Sequence, residues 1–177
     1  MNIIKTLTFS ALLVAGTGTA LADKSAGEMV DDSLVQGNVK AKLMAEDFAE
    51  GAGVNLETRK GVVQLGGFID DADHGKRLAE VAAGVEGVKK VDNQLHAKRG
   101  DRSAGRAIDD GVVTTKVKSA IGSEDFGDGV AINVDTYNGV VLLTGFTDTQ
   151  ASKKRAGELA AGTNNVDDVI NGIYVMD

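Results

Sequence analysis

The chain has 177 residues, of which 19 are basic and 26 acidic, for a formal charge of −7, and it contains no cysteine, proline or tryptophan. Without cysteine there are no disulfides, thiolate metal sites, cysteine nucleophiles or lipoprotein acyl anchors. With aromatics at 4% of residues, neither a base-stacking platform nor a proline-rich recognition segment is expected, and the acidic total disfavours general binding to nucleic acid while permitting a local basic patch.

The first residues read as an export signal. Lys5 precedes an apolar stretch from Leu7 to Ala15, and Ala20 and Ala22 form an A-x-A arrangement before Asp23. Residues 1–22 are therefore assigned as a signal peptide cleaved between Ala22 and Asp23, which by itself says that the chain crosses a membrane; periplasmic export fits it best, with extracellular release as the alternative. That apolar run is far shorter than the roughly 20 residues of a membrane-spanning helix. No later segment comes nearer, so no transmembrane helix is expected in the mature chain.

The remainder is one unit written twice. Displaced by about 78 residues, the chain matches itself without a gap. Glu46-Asp47-Phe48 falls on Glu124-Asp125-Phe126, Gly61-Val62-Val63-Gln64-Leu65-Gly66-Gly67-Phe68 on Gly139-Val140-Val141-Leu142-Leu143-Thr144-Gly145-Phe146, and Ala82-Ala83-Gly84 on Ala160-Ala161-Gly162. Val88, Val91 and Asn93 fall on Val166, Val169 and Asn171. Two domains follow, at 31–98 and 109–177, each near the lower size limit for independent folding. Residues 99–108, rich in glycine, serine and charge, read as a solvated linker.

In chain order, Val35, Val39 and Leu43, with Val113, Val117 and Ile121 in the second copy, mark the apolar stripe of a first helix. Asp31-Asp32 and Asp109-Asp110 stand before those stripes as caps. Alternation in Val54–Thr58 and Ile132–Thr136, followed by valine-rich runs from Val62 and Val140, predicts a hairpin turned at Lys60-Gly61 and Asn138-Gly139. Asp70 and Asp148 are placed to cap a second helix whose buried face carries Leu78, Val81, Ala82 and Val85, or Leu159 and Ala160. It ends at Gly87 or Asn165. A last strand puts Val91, Asn93 and Leu95 on one face, as it does Val169, Asn171, Ile173 and Val175. The class is α+β: two tandem αββαβ modules, each a small three-stranded sheet covered on one face by two helices.

The G-V-V-x-L-x-G-F segment, the acidic cap, the A-A-G helix end and the V-x-x-V-x-N strand resemble the BON-domain family, in both copies. The resemblance implies a periplasmic, stress-associated, non-enzymatic protein with chaperone-like protection of envelope proteins, or binding to anionic phospholipid headgroups. It implies no catalytic residue, metal or cofactor. A two-domain lipoprotein of the family is thought to set the first helix of its second domain on anionic lipid; the corresponding stretch here is Val112 to Ile121 with Lys116 and Lys118.

The residues themselves carry no catalytic constellation. His74 and His96 do not recur in the other copy, where Ser152 and Tyr174 stand; they lack convergent partners and are read as surface or edge positions. The acidic loops at Glu46-Asp47 with Glu50, and Glu124-Asp125 with Asp128, lack the spacing of a calcium loop. Gly61, Gly67, Gly139 and Gly145 fit backbone turns and strand ends better than a phosphate cradle. Cations crowd one region: Lys98 and Arg99 beside Arg102 and Arg106 in the linker, then Lys116, Lys118, Lys153, Lys154 and Arg155 in the second unit. With Val112 as a shallow apolar contact, Arg102, Arg106, Lys116, Lys118, Lys153, Lys154 and Arg155 form the candidate surface for a lipid or protein partner.

Overall fold

The computed structural model describes residues 25–45, 53–127 and 130–176. The signal-peptide assignment at 1–22, the acidic loop at Glu46-Asp47 and Glu50, and Asp128 lie outside the described residues. The elements are α1 (Ser25–Ala45), β1 (Asn55–Arg59), β2 (Val62–Ile69), α2 (Ala72–Ala83), β3 (Lys90–Ala97), α3 (Ala104–Gly122), β4 (Ala131–Tyr137), β5 (Val140–Thr147), α4 (Gln150–Ala161), β6 (Asp168–Asn171) and β7 (Tyr174–Val175).

Each copy follows the same path. β1 and β4 pair antiparallel with β2 and β5, and the last strand of each copy pairs parallel with the central one after the helical crossover. In the second copy the last strand is interrupted at Gly172, so its sheet has four strands. The hairpins turn through two positive-φ residues, Lys60 (51°) and Gly61 (78°), Asn138 (49°) and Gly139 (77°), the geometry that matches strand twist. Gly67 and Gly145 are obligatory for a different reason: a Cβ would lie 2.0 Å from the Gly53 carbonyl oxygen and 1.9 Å from that of Ala131.

The apolar stripes read from the sequence meet as two cores. Val35, Val39, Leu43, Val63, Leu65, Leu78 and Ala82 form one, and Val113, Val117, Ile121, Val134, Val141, Leu143, Ala156, Ala160 and Ile173 the other. Asn93 and Asn171 tie the last strand to the second helix by donating to the carbonyls of Gly75 (3.2 Å) and Lys153 (2.8 Å).

Three local assignments are corrected. Asp32 and Asp110 lie inside α1 and α3 and cap the hairpins: Asp32 accepts from Lys60 and Gly61 N–H, and Asp110 from Asn138 and Gly139 N–H. The second helices are capped by Asp71 and Thr149, one residue after the expected positions, because there the extended backbone aims a side-chain oxygen at the N–H groups of Asp73 and Ser152. They end at Gly84 and Gly162, before Gly87 and Asn165, which occupy positive φ in the following loops.

The joint also departs from expectation. Ser103 caps α3, which begins at Ala104 within the stretch assigned as linker. The preceding residues are bonded down, since Asn138 Nδ2 donates to the Arg99 carbonyl (3.0 Å) and Tyr137 hydroxyl to that of Gly100 (3.1 Å).

The sheet faces opposite the helices pack on each other, giving helices outside and two sheets inside. Successive strand residues point to opposite faces, yet β2 and β5 are buried at almost every position, which requires cover on both sides. Gln64, 1% exposed, spans the contact: its Nε2 donates to Asp92 (2.7 Å) and to the Gly172 carbonyl (2.8 Å), and its Oε1 accepts from Gly145 N–H. The contact is reciprocal. Asn55 donates to Asp135, and the repeat-equivalent Asn133 donates to Glu57. Gly66 faces its own equivalent, Thr144, and Gly172 faces its own, Gln94. Residues facing their own counterparts place the two units about a pseudo-two-fold axis, as in an isologous dimer.

Candidate functional site

The first helix of each unit has a core-facing stripe and an outward face. Leu34 on α1 and its equivalent Val112 on α3 are 60% and 46% exposed, with Met44 at 64% and Ile108 at 69%. Ile108, Val112 and Lys116 recur every four residues and so lie along one line of α3.

The candidate cations are distributed unevenly around this line. Arg102 is bonded to the buried Asp110 carboxylate (2.9 Å) and stacked over the Tyr137 ring at 5.3 Å. Arg106 is paired with Asp167 and donates to the Asn138 carbonyl (2.9 Å). Lys154 reaches Glu158 within its own helix at 3.5 Å. Arg155 binds Glu124 at 2.9 Å, and this pairing holds the Glu124 carboxyl below, and the guanidinium above, their ordinary values.

Lys116 and Lys118 are exposed on α3. Lys118 lies near enough to Asp135 to oppose the upward push that burial gives that carboxyl. Lys153 is half-buried on α4. The structure thus brings Val112 and Lys116 onto one outward line, while four of the arginines and lysines neutralise carboxylates of their own unit.

Two features escaped the sequence reading. Ile108 extends the Val112–Lys116 line, and its four-residue spacing was the available signal, hidden by assigning residues 99–108 to a linker. His96 stands half-buried on the edge strand β3, in keeping with an edge position, and in addition lines a cavity of about 200 Å³ between the units with Phe68, Tyr137, Asn138 and Asp168. Burial, reinforced by Arg99, lowers its pKa. His74 sits half-exposed on α2.

Comparison with known proteins matches the BON domain to residues 31–99 and again to residues 109–177. The chain belongs to the BON-domain family. It is 30% identical over 148 residues to Osmotically-inducible protein Y of Escherichia coli (strain K12), covering 83% of this chain and 74% of that protein. It is 29% identical over 156 residues to Outer membrane lipoprotein DolP of Haemophilus influenzae (strain ATCC 51907 / DSM 11121 / KW20 / Rd), covering 87% and 79%. A single-unit-sized match of 73 residues at 37% identity joins it to the 21 kDa hemolysin of Actinobacillus pleuropneumoniae, covering 41% and 38%. The repeated devices described above, the hairpin-capping aspartate and the strand asparagine, thus belong to a tandem pair of BON units. Among the described residues, no helix is long and apolar enough to cross a membrane.

Proposed function

We propose that this BON protein is a periplasmic binding protein that protects other envelope proteins under stress by holding their exposed apolar segments, with no reaction step and no cofactor of its own. The observation that carries the reading is the repetition of an outward apolar side chain, Leu34 and Val112, on the first helix of both units. The docked sheets are unavailable to a partner while they cover each other, which leaves the outer helical faces as working surface. Relatives named for osmotic induction and for the outer membrane support the setting.

The test is aggregation of a denatured exported protein, followed by light scattering, with and without the mature chain. Protection is expected, and Leu34→Glu with Val112→Glu should abolish most of it. Equal scattering with and without the protein rejects the reading.

A second reading is favoured by the line of Ile108, Val112 and Lys116: peripheral attachment to anionic phospholipid headgroups through α3 and neighbouring cations. Each lysine close to such a surface contributes about 1 kcal/mol, and the apolar pair enters the headgroup boundary. Vesicles of phosphatidylglycerol should retain the protein at low salt. No retention, or retention unchanged by Lys116→Glu with Lys118→Glu, removes this reading.

A further inference from the structure

Alternation along the strands divides each sheet into a helix-facing row and an inner row, and the inner rows of the two units differ in kind. In the first unit the row is mostly polar, with Glu57, Gln64, Asp92 and Gln94 beside Val62 and Phe68. In the second it carries Val140, Leu142, Phe146, Ile170 and Tyr174. Leu142 and Phe146 are 0% and 4% exposed, yet neither is part of a core beneath the helices; the first unit is what covers them. A polar row loses little on meeting water, as the open face of an antiparallel sheet does. An apolar row of this extent is seldom left uncovered without a use.

The contact that hides this row is incompletely made. Thr144 Oγ1, Arg59 Nη1 and His96 Nε2 lie in it buried and without a protein partner, although buried polar atoms are as a rule bonded. A cavity of about 200 Å³ remains at the rim where His96 stands in the place of Tyr174. Around the enclosed Gln64, the bridges between units are partly exposed: Arg59 to Asp148 at 2.9 Å, Asn55 to Asp135, and Asn133 to Glu57. Bonds of that kind are readily exchanged for water and contribute little net.

Each unit stands on a core of its own, so separation leaves both folded. The chain passes between them at one peptide. Lys98 is held to the first unit, its N–H donating to the Ile69 carbonyl (2.7 Å) and its ammonium paired with Asp70 (2.9 Å). The Arg99 carbonyl is held to the second by Asn138 Nδ2 (3.0 Å). Rotation about the bonds flanking that peptide parts the units without disturbing a helix or strand, as hinge residues do.

We propose that the first unit is a hinged cover on the second: the two part as folded bodies about the Lys98–Arg99 joint, and parting uncovers Val140, Leu142, Phe146, Ile170 and Tyr174 as an apolar sheet face. This face is separate from the outer helical faces that carry Leu34 and Val112.

The chain has no cysteine, so an introduced thiol reports only its own exposure. Thr144→Cys places one on the inner row and Val141→Cys places one against the helical core, at positions 1% and 0% exposed on the same strand. Each full mature variant is labelled with a maleimide under native conditions, and its global unfolding is followed by circular dichroism. Hinged opening exposes position 144 while 141 stays covered, so labelling at 144 should be at least about ten-fold faster. Leu142→Cys, also on the inner row, should share the excess. Rates at 144 no faster than at 141, or an excess confined to 144, overturn the proposal. If Thr144→Cys does not fold, Leu142→Cys takes its place, and Leu143→Cys replaces Val141→Cys in the same way.

Discussion

Replacing Asp110 by alanine tests the device by which each unit locks its hairpin to its first helix. Asp110 is 1% exposed, and its carboxylate accepts from Asn138 N–H (2.9 Å), Gly139 N–H (2.8 Å) and Arg102 Nε (2.9 Å). Truncation strands two backbone donors, one of them fully buried, while the partly exposed guanidinium turns to water. Hydrogen bonds to a charged group contribute about 1.5–3 kcal/mol each, so a loss of about 3–5 kcal/mol is expected. In urea, with a slope on the order of 2 kcal/mol per molar, the midpoint should fall by about 2 M. Asp32→Ala is the internal control. It removes the equivalent bonds to Lys60 and Gly61 (2.6 and 2.7 Å), but one of these is exposed, so the loss should be about 1–2 kcal/mol. Asp110→Asn should fall between wild type and alanine, because an amide presents one acceptor and turns an NH₂ toward the turn donors. The reasoning is refuted if Asp110→Ala costs no more than Asp32→Ala, or if both lie under about 0.5 kcal/mol.

Three further outcomes follow from the contact between units. Gly66→Val would place a Cβ 2.6 Å from Thr144 Cγ2 and should cost about 1–3 kcal/mol; Thr144→Gly in the same chain should recover much of it, and strict additivity in the double-mutant cycle would disprove the self-facing arrangement. Burial raises the Asp135 carboxyl above its ordinary value, against the opposing Lys118 and the Asn55 hydrogen bond. The stability from that shift is fully present below the unfolded aspartate value and lost as pH rises through the folded one, so Asp135→Asn should flatten this fall in thermal midpoint, and parallel profiles would count against it. His96 is shifted the other way, by burial and then by Arg99. Its contribution is present above the unfolded histidine value and lost as pH falls through the depressed folded value, so His96→Gln should reduce acid sensitivity in that window; an unchanged slope would show that His96 does not contribute to it.

Much of the fold was legible because its signals are local. The four-residue recurrence of Val113, Val117 and Ile121, the alternation through β4, and the Asn138-Gly139 turn each depend on near neighbours. Repetition strengthened every one of them. Asp110 was visible as an acidic residue near a helix start, yet its role was misread because the donors it serves lie 28 and 29 residues away. The candidate surface was legible in part: Val112 and Lys116 fall on an outward line, but a run of positive charge does not state which carboxylates the fold will bring to it. Asp167 reaches Arg106 across 61 residues and Glu124 reaches Arg155 across 31, so both arginines are neutralised by partners that sequence proximity does not reveal.

By itself the sequence determined that there are two copies of one unit, their α+β order, the residues of each helical core and the turn glycines, since periodicity and backbone preference are properties of short segments. Tertiary structure alone decided what covers the second face of each sheet. Alternation says which side chains share a face, but not that the docked sheet supplies Gly172 and Gly145 as the partners of Gln64. The cavity at His96 arises the same way, from how two nearly equal surfaces meet across a pseudo-two-fold axis, where Tyr174 at one rim and the smaller His96 at the other leave unequal space.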